Sequence, residues 1–446
     1  DIEEGINDEL NTLREMLYDA IQMYATEVVG QPIAYSTDAY PYWFADSDGD
    51  NELDDEEANY GNRYASFSGY LHVATYNYQV SLKDPGAYAH NPKYHIELLY
   101  DTITVLNQQI SEPIELAGLH RNDPGHFDST DQPWRHWDED GEVSARCSKC
   151  HTSEGLPFFL EHGVNISHPP SASMECSTCH NDIENIAEGE LYIVNEVEFP
   201  SGAVVSYGEE EPSNLCIECH QGRQSSPSVM AHIDAAGVAD DEVSEALSFR
   251  NPHYFAAGAT QFGSEGMGGF QYEGQEYTGR YPHARRMDTC TSCHQPHALE
   301  LDVFRCGDCH EVDSAEDIPL IRLDEDFDAV DYDGDGDVEE PIKNEIETLQ
   351  TALFAEIESY AADQGAPLVY NPDRYPYWFT EDGERYNAWT PRLVRSMYNY
   401  TWTQTDPGGY AHNADYILQL LYDSLLDIGG EEAVADFTRA PVNVYD

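Results

Sequence analysis

Apolar positions near the start of the chain recur at helical spacing. Leu10, Leu13, Leu17, Ile21 and Tyr24 step by three and four, which puts them on one face of a helix. Ile346, Leu349, Leu353, Ile357 and Tyr360 repeat that face near the other end. A further helix is expected after Asn91, an N-cap followed by Pro92 at the first helical position, and Asn413 caps its counterpart. Asp-Pro-Gly ahead of each cap signals a turn. In the middle of the chain the periodicity fades and Gly, Pro and Ser become frequent. That composition predicts short helices, long irregular connections and little sheet. The exception is residues 191–207, where apolar runs flank Pro200-Ser201-Gly202 and predict a small hairpin.

The two ends repeat each other beyond these helices. Asp1-Ile-Glu-Glu aligns with Asp337-Val-Glu-Glu, and Tyr40-Pro-Tyr-Trp-Phe44 with Tyr375-Pro-Tyr-Trp-Phe379. Tyr76-Asn-Tyr78 aligns with Tyr398-Asn-Tyr400, and Leu99-Tyr-Asp101 with Leu421-Tyr-Asp423. Asp84-Pro-Gly-Ala-Tyr-Ala-His90-Asn aligns with Asp406-Pro-Gly-Gly-Tyr-Ala-His412-Asn. A duplicated helical module therefore flanks a different middle. The expected division is residues 1–113 for the first copy, 114–315 for the core, and 316–446 for an acidic loop and the second copy.

All ten cysteines lie in that middle, in five copies of one pattern. They are Cys147-Ser-Lys-Cys150-His151, Cys176-Ser-Thr-Cys179-His180, Cys216-Ile-Glu-Cys219-His220, Cys290-Thr-Ser-Cys293-His294 and Cys306-Gly-Asp-Cys309-His310. C-x-x-C-H attaches haem c: two thiols add to the two vinyl groups, and the next imidazole reaches the iron. Zinc ribbons and disulfides also use paired cysteines, but neither requires the following histidine. With 18 histidines in 446 residues, five such placements by chance come to roughly one in ten million.

On these motifs the sequence resembles the multihaem c-type cytochromes, specifically the secreted ones of extracellular electron transfer, including filament-forming ones. The resemblance implies five covalent haems, His151, His180, His220, His294 and His310 as proximal ligands, and maturation outside the cytoplasm. At about 40 residues per haem, side chains alone cannot make the core, so the porphyrins are part of it. The expected fold is mainly α with extensive irregular coil, a central covalent pentahaem core flanked by the two helical modules.

Thirteen histidines lie outside the motifs, more than five irons need. His126 and His136 precede the first motif, His253 and His283 lie in the long gap between the third and fourth, and His297 follows His294 by three residues. These five are the candidate distal ligands, with His297 serving a neighbouring haem rather than its own. His120, His162, His168 and His232 are reserves. His90 and His412, beside helix caps and far from any motif, are expected to be structural. Met174, Met230, Met267 and Met287 are expected to pack. Only eleven residues separate His294 from Cys306, so the fourth and fifth haems should be neighbours.

Two acidic loops carry a second chemistry. Asp46, Asp48, Asp50, Glu52 and Glu57 follow the spacing of an EF-hand-like calcium loop over residues 46–57, with Asn51 where glycine is usual. Asp331, Asp333, Asp335 and Asp337 form a second candidate, in which Glu340 stands in for a missing terminal glutamate.

Charge narrows the function classes. The chain has 85 acidic and 21 basic residues, a formal charge of −64. That excludes a nucleic-acid binder and argues against docking on an anionic membrane. No stretch is apolar enough to span a bilayer. With 40% apolar and 12% aromatic residues the chain builds cores rather than remaining disordered. It starts at Asp1 and reads as processed or truncated, with targeting information removed.

The sequence reading is thus an extracytoplasmic multihaem cytochrome, secreted or extracellular with the periplasm as the alternative. It is expected to conduct electrons along five bis-His haems, with redox donor and acceptor proteins or an external acceptor, and further copies of itself in a cytochrome filament, as partners. A discrete shuttle and a multihaem reductase with one open-faced haem are the alternatives. Pentahaem nitrite reductases carry a C-x-x-C-K motif that is absent here, and no catalytic residue is assigned. A haem-based gas sensor would need fewer haems and an output domain.

Overall fold

The structure, a computed structural model, describes residues 6–116, 119–122, 125–183, 190–283, 287–322 and 330–443. It is mostly helical, 45% helix against 6% strand, with long irregular connections. The chain divides into two compact units, Asp1–Arg135 and His136–Asp446. Each has its own apolar core.

In the first unit α1 (Ile6–Tyr24) packs against α2 (Gly69–Lys83) and α3 (Pro92–Asn107). Leu10, Leu13, Leu17, Ile21 and Tyr24 are all buried, so the helical stripe is the core face. α2 starts at Ser68, whose side chain accepts from the Leu71 amide. α3 starts at Asn91, whose side chain accepts from the Tyr94 amide, with Pro92 in the first turn. A two-stranded hairpin, β1 (Ile33–Tyr35) and β2 (Trp43–Ala45), pairs Ala34 with Phe44. Tyr18, Tyr35, Trp43 and Tyr78 make a four-ring cluster with neighbouring centroids 4.7–6.4 Å apart. Each such ring pair adds about 0.5–1.5 kcal/mol beyond its buried area.

The second unit holds all five cysteine motifs and the second module copy. Its short helices include α4 (Ala145–His151), α5 (Cys176–Cys179), α6 (Ser213–Ile217), α7 (Ala257–Gly266), α8 (Cys290–Cys293) and α9 (Val303–Gly307). The hairpin signalled by Pro200-Ser-Gly forms as β3 (Val197–Glu198) and β4 (Val204–Val205), with Gly202 at φ +84° in the turn. The module follows as α10 (Ile342–Asp363), β5 (Leu368–Tyr370), β6 (Trp378–Thr380), α11 (Pro391–Gln404) and α12 (Gly409–Ala433). Phe354, Tyr370, Trp378 and Tyr400 rebuild the four-ring cluster at equivalent positions. The backbone of α12 breaks at Asn413 (φ −169°, ψ +81°), whose side chain accepts from the Tyr416 amide. Asn91 does the same in the first copy, so the duplication extends to the cap geometry.

The second module clasps the segment between the third and fourth motifs. Tyr398 donates to the Gly268 carbonyl, and Asn399 both accepts from and donates to the Phe270 backbone. Gln419 accepts from the Thr278 amide, and Asn413 donates to the Gly279 carbonyl. A side chain at Gly269 would collide with Leu420, its Cβ only 2.3 Å from a methyl carbon.

Candidate haem centres

Each C-x-x-C-H motif is one helical turn. The amides of His180, His220, His294 and His310 donate to the carbonyls of Cys176, Cys216, Cys290 and Cys306 at 2.8–3.0 Å. Cys147, Cys150 and His151 sit in α4. This i, i+3, i+4 placement sets two thiols and an imidazole on one face, the arrangement thioether attachment needs. All ten thiols are free of disulfides.

Four proximal imidazoles face a second imidazole. Ring centres lie 5.9 Å apart for His151 and His253, 6.2 Å for His180 and His297, 6.2 Å for His310 and His283, and 6.4 Å for His294 and His412. A metal–nitrogen bond of roughly 2 Å on each side, plus roughly 1.1 Å from nitrogen to ring centre, sets trans iron ligands about 6.2 Å apart. The four centre-to-centre spacings match that distance. The fifth proximal residue, His220, donates from Nδ1 to the Phe255 carbonyl at 2.8 Å, which leaves Nε2 as its ligand atom.

The electrostatics suit neutral, ligating imidazoles. Burial, with Arg223 and His151 nearby, pulls His253 down to about 4. Burial likewise lowers His220 and His294. His412 differs: burial works to lower it, and the Asp406 carboxylate outweighs that and raises it. Asp406 accepts from Nδ1 of His412 at 2.9 Å, the carboxylate–imidazole pairing that orients metal-binding histidines. A Cβ at Gly408 would sit 2.6 Å from Cε1 of His412, so the Asp-Pro-Gly turn needs glycine to let the ring lie across it.

Contacts tie the motifs into one connected series. Thr178 of the second motif donates to the Ser153 carbonyl just after the first. Lys149 and Glu218, inside the first and third motifs, form a 2.8 Å ion pair with only 17% and 6% of their side chains exposed. Ser213, at the start of α6, accepts from the Thr291 amide inside the fourth motif. Arg305, beside the fifth, donates to the Ser292 carbonyl of the fourth. These contacts link the second motif to the first, the first to the third, the third to the fourth and the fourth to the fifth, while His297 beside the fourth returns to His180 of the second. An open hollow of about 390 Å³ lies at the fifth motif, lined by Val303, Phe304, Gly307, Asp308, Val312 and Asp313.

Other histidines are placed differently. The His136 ring lies 4.7 Å from Trp137, which in turn lies 5.0 Å from His151. His126 sits in the short turn Gly125–Phe127 of the first unit. Among the reserves, Nε2 of His232 accepts from the Ser248 amide, and His162 and His168 pack on Phe158. His120 lies in the first unit, away from any regular element. The sequence reading took His412 as structural; its ring lies 6.4 Å from that of His294. The aspartate six residues ahead recurs in both module copies.

Both acidic loops fold around their first aspartate. Asp46 accepts from the amides of Gly49 and Asn51, and Asp331 from those of Gly334 and Gly336. Asn51 takes the left-handed conformation at φ +66°. Carboxylate oxygens of Asp46, Asp48 and Glu57 come within 4.8 Å of one another. In the second loop two such groups share Asp333: one with Asp331 and Glu345, one with Asp335 and Glu340. Glu345, absent from the sequence pattern, is fully buried and paired with Arg322. Asp50, Glu52 and Asp337 lie outside these groups; Asp50 and Asp337 instead accept from the amides of Glu52 and Glu339.

No family model and no solved structure matches the chain. Among curated proteins it is similar to the C-type polyheme cytochrome OmcB of Geobacter sulfurreducens, 25% identical over 368 residues, in strain DL-1 / KN400 and in strain ATCC 51573 / DSM 12127 / PCA. The match covers 67% of this chain and 46% of that protein. The C-type polyheme cytochrome OmcC of the latter strain is 24% identical over 363 residues, 68% of this chain and 45% of its own length. The chain spans about half the length of the curated relatives it matches. The likeness and the five motifs together support a multihaem c-type cytochrome.

Proposed function

We propose that the chain is an extracytoplasmic electron-transfer cytochrome with five bis-His haems, and that its copies assemble into an extracellular filament. The observation that carries the electron-transfer reading is the four facing imidazole pairs, spaced as trans iron ligands along a connected series of motifs. Haem c, when bound, supplies an iron that cycles between ferric and ferrous states. The chain's own residues attach, ligate and position it. The ten cysteines tether by thioether bonds, and His151, His180, His220, His294 and His310 are the proximal ligands. His253, His297, His412 and His283 would be the second histidines to hold the irons attached at His151, His180, His294 and His310. His126 and His136 remain candidate distal ligands with no proximal partner assigned. Closed irons offer no position for a substrate, which favours electron transfer over catalysis. Redox proteins or an external acceptor are the partners. The two acidic loops take calcium, which offsets part of the surface charge.

Haem content and coordination test this together. Pyridine haemochrome analysis should give five haem c per chain. Carbon monoxide should leave the reduced protein unchanged; uptake of one equivalent would instead identify a reductase. His412→Ala should turn one haem in five high-spin, and an unaltered spectrum would defeat the assignment at His294. Electron microscopy separates filaments from single particles.

A further inference from the structure

Two contacts join attachment thiols of different motifs, and every group that makes them belongs to the second unit. The Cys150 and Cys219 side chains hydrogen-bond each other, which brings together the first and third motifs. Cys216 and Cys290 do the same for the third and fourth. The two contacts differ in their surroundings. Beside Cys216 and Cys290 stand hydroxyls: Cys290 donates to Tyr207 at 3.7 Å, and the Ser213 and Thr291 hydroxyls lie 3.3 Å apart. Beside Cys150 and Cys219 stand charges. Lys149 directly precedes Cys150, Glu218 directly precedes Cys219, and their side chains meet at 2.8 Å, largely buried. The Cys219 thiol also lies 4.0 Å from the Lys149 carbonyl. Both partners are held in place: Gln221 donates to the Glu218 carbonyl at 2.7 Å, and the Lys149 ammonium rests on the Phe159 ring.

Attachment chemistry gives the charged contact a consequence. A thioether keeps the cysteine sulfur on the rim of its macrocycle. Cys150 serves the first haem and Cys219 the third, so one ion pair stands beside groups that carry two haems. Neither charge takes part in attachment or ligation. A buried cation favours the ferrous state, which carries one positive charge fewer, and a buried carboxylate favours the ferric state. Paired, the two influences nearly cancel. We propose that Lys149 and Glu218 are positioning residues for electron transfer, a single ion pair that sets the potentials of the first and third haems together. The two haems thereby form one electrostatically shared station, whose midpoints belong to the pair rather than to either iron, as with two interacting titrating groups. The hydroxyls beside the third–fourth contact carry no charge to do the same. The inference rests on the multihaem reading above.

The purified holoprotein tests it by spectroelectrochemical titration, once pyridine haemochrome has counted its haems. Lys149→Met strands the carboxylate and should lower two of the five midpoints, a change on the order of tenfold in the ferrous-to-ferric ratio at fixed solution potential. Glu218→Gln leaves the ammonium and should raise the same two. Lys149→Met/Glu218→Leu removes both charges, Lys149→Arg keeps both, and each should titrate close to wild type. One of the two moving components should be the one altered in His253→Ala, which opens the iron attached at His151. If Lys149→Met does not mature, Glu218→Gln and the double variant decide the matter alone. Thermal melts run alongside expose a merely structural role: single variants that melt early with all five midpoints at wild-type values would overturn the inference. A shift confined to one component would overturn the sharing. Fewer than five haems per chain, or a wild-type spectrum in His253→Ala, would instead mark failure of the multihaem reading itself.

Discussion

On the proposed ligation, Asp406 decides which nitrogen of His412 would meet a metal. Its carboxylate holds Nδ1, so Nε2 is the free ligand atom, and the bond keeps the ring basic. Loss of such a partner typically costs about 10–100-fold in metal affinity. Asp406→Asn should therefore weaken ligation at one haem and raise its midpoint potential, read as one shifted component in a redox titration. Gly408 acts on the same ring by sterics. Gly408→Ala places a methyl carbon 2.6 Å from Cε1, so the imidazole must move and one haem in five should gain high-spin character.

Among the elements, the ion pair between α4 and the third motif is the contact most open to test. Removing one partner of a buried pair strands a charge and costs about 3–5 kcal/mol, whereas replacing both can be neutral. Lys149→Met should lower the denaturation midpoint markedly, and adding Glu218→Leu should restore much of it. Lys149 also lies 4.6 Å over the Phe159 ring, which a methionine partly preserves. The helical stripes, caps and hairpin were legible beforehand because each rests on local rules: periodicity, an Asn side chain, a glycine with positive φ. The attachment residues were legible because covalent chemistry fixes their spacing. What sequence could not reveal was pairing across the chain. His253 meets His151 over about a hundred intervening residues, and His297, three residues from His294, faces His180 instead. Those partnerships depend on how irregular connections fold back. His412 was expected to be structural because it stands beside a helix cap; its ring lies 6.4 Å from that of His294. Glu345 was missed because it approaches the acidic loop from a helix outside the motif.

For the molecule as a whole, the excess of acid over base sets the conditions of stability. Asp48 is held above the usual carboxylate range by desolvation and then by Asp50, Glu57 and Asp46; Glu340 is raised by desolvation and then by Asp333 and its neighbours. A carboxyl raised in the folded chain binds its proton more tightly there than in the unfolded chain. Without a cation, the stability contributed by these two carboxyls should therefore be full below their ordinary range and be lost as pH rises through the raised one. Calcium reverses the order: it should raise the melting temperature at neutral pH, and the gain should vanish on acidification as protons displace it. Thermal melts with calcium and with chelator across that interval check this, and identical curves would remove calcium from the account. Salt should also favour association, since screening lowers the repulsion between chains of formal charge −64.

The motif contacts close on themselves, because His297 beside the fourth motif returns to His180 of the second. On the proposed electron-transfer reading this makes the five sites unequal under damage. Loss of the first, second or third attachment site would leave the others joined by the remaining contacts. Among the described contacts the fifth motif is tied to the rest through the fourth. A faulty fourth site should therefore be the one that strands a neighbour.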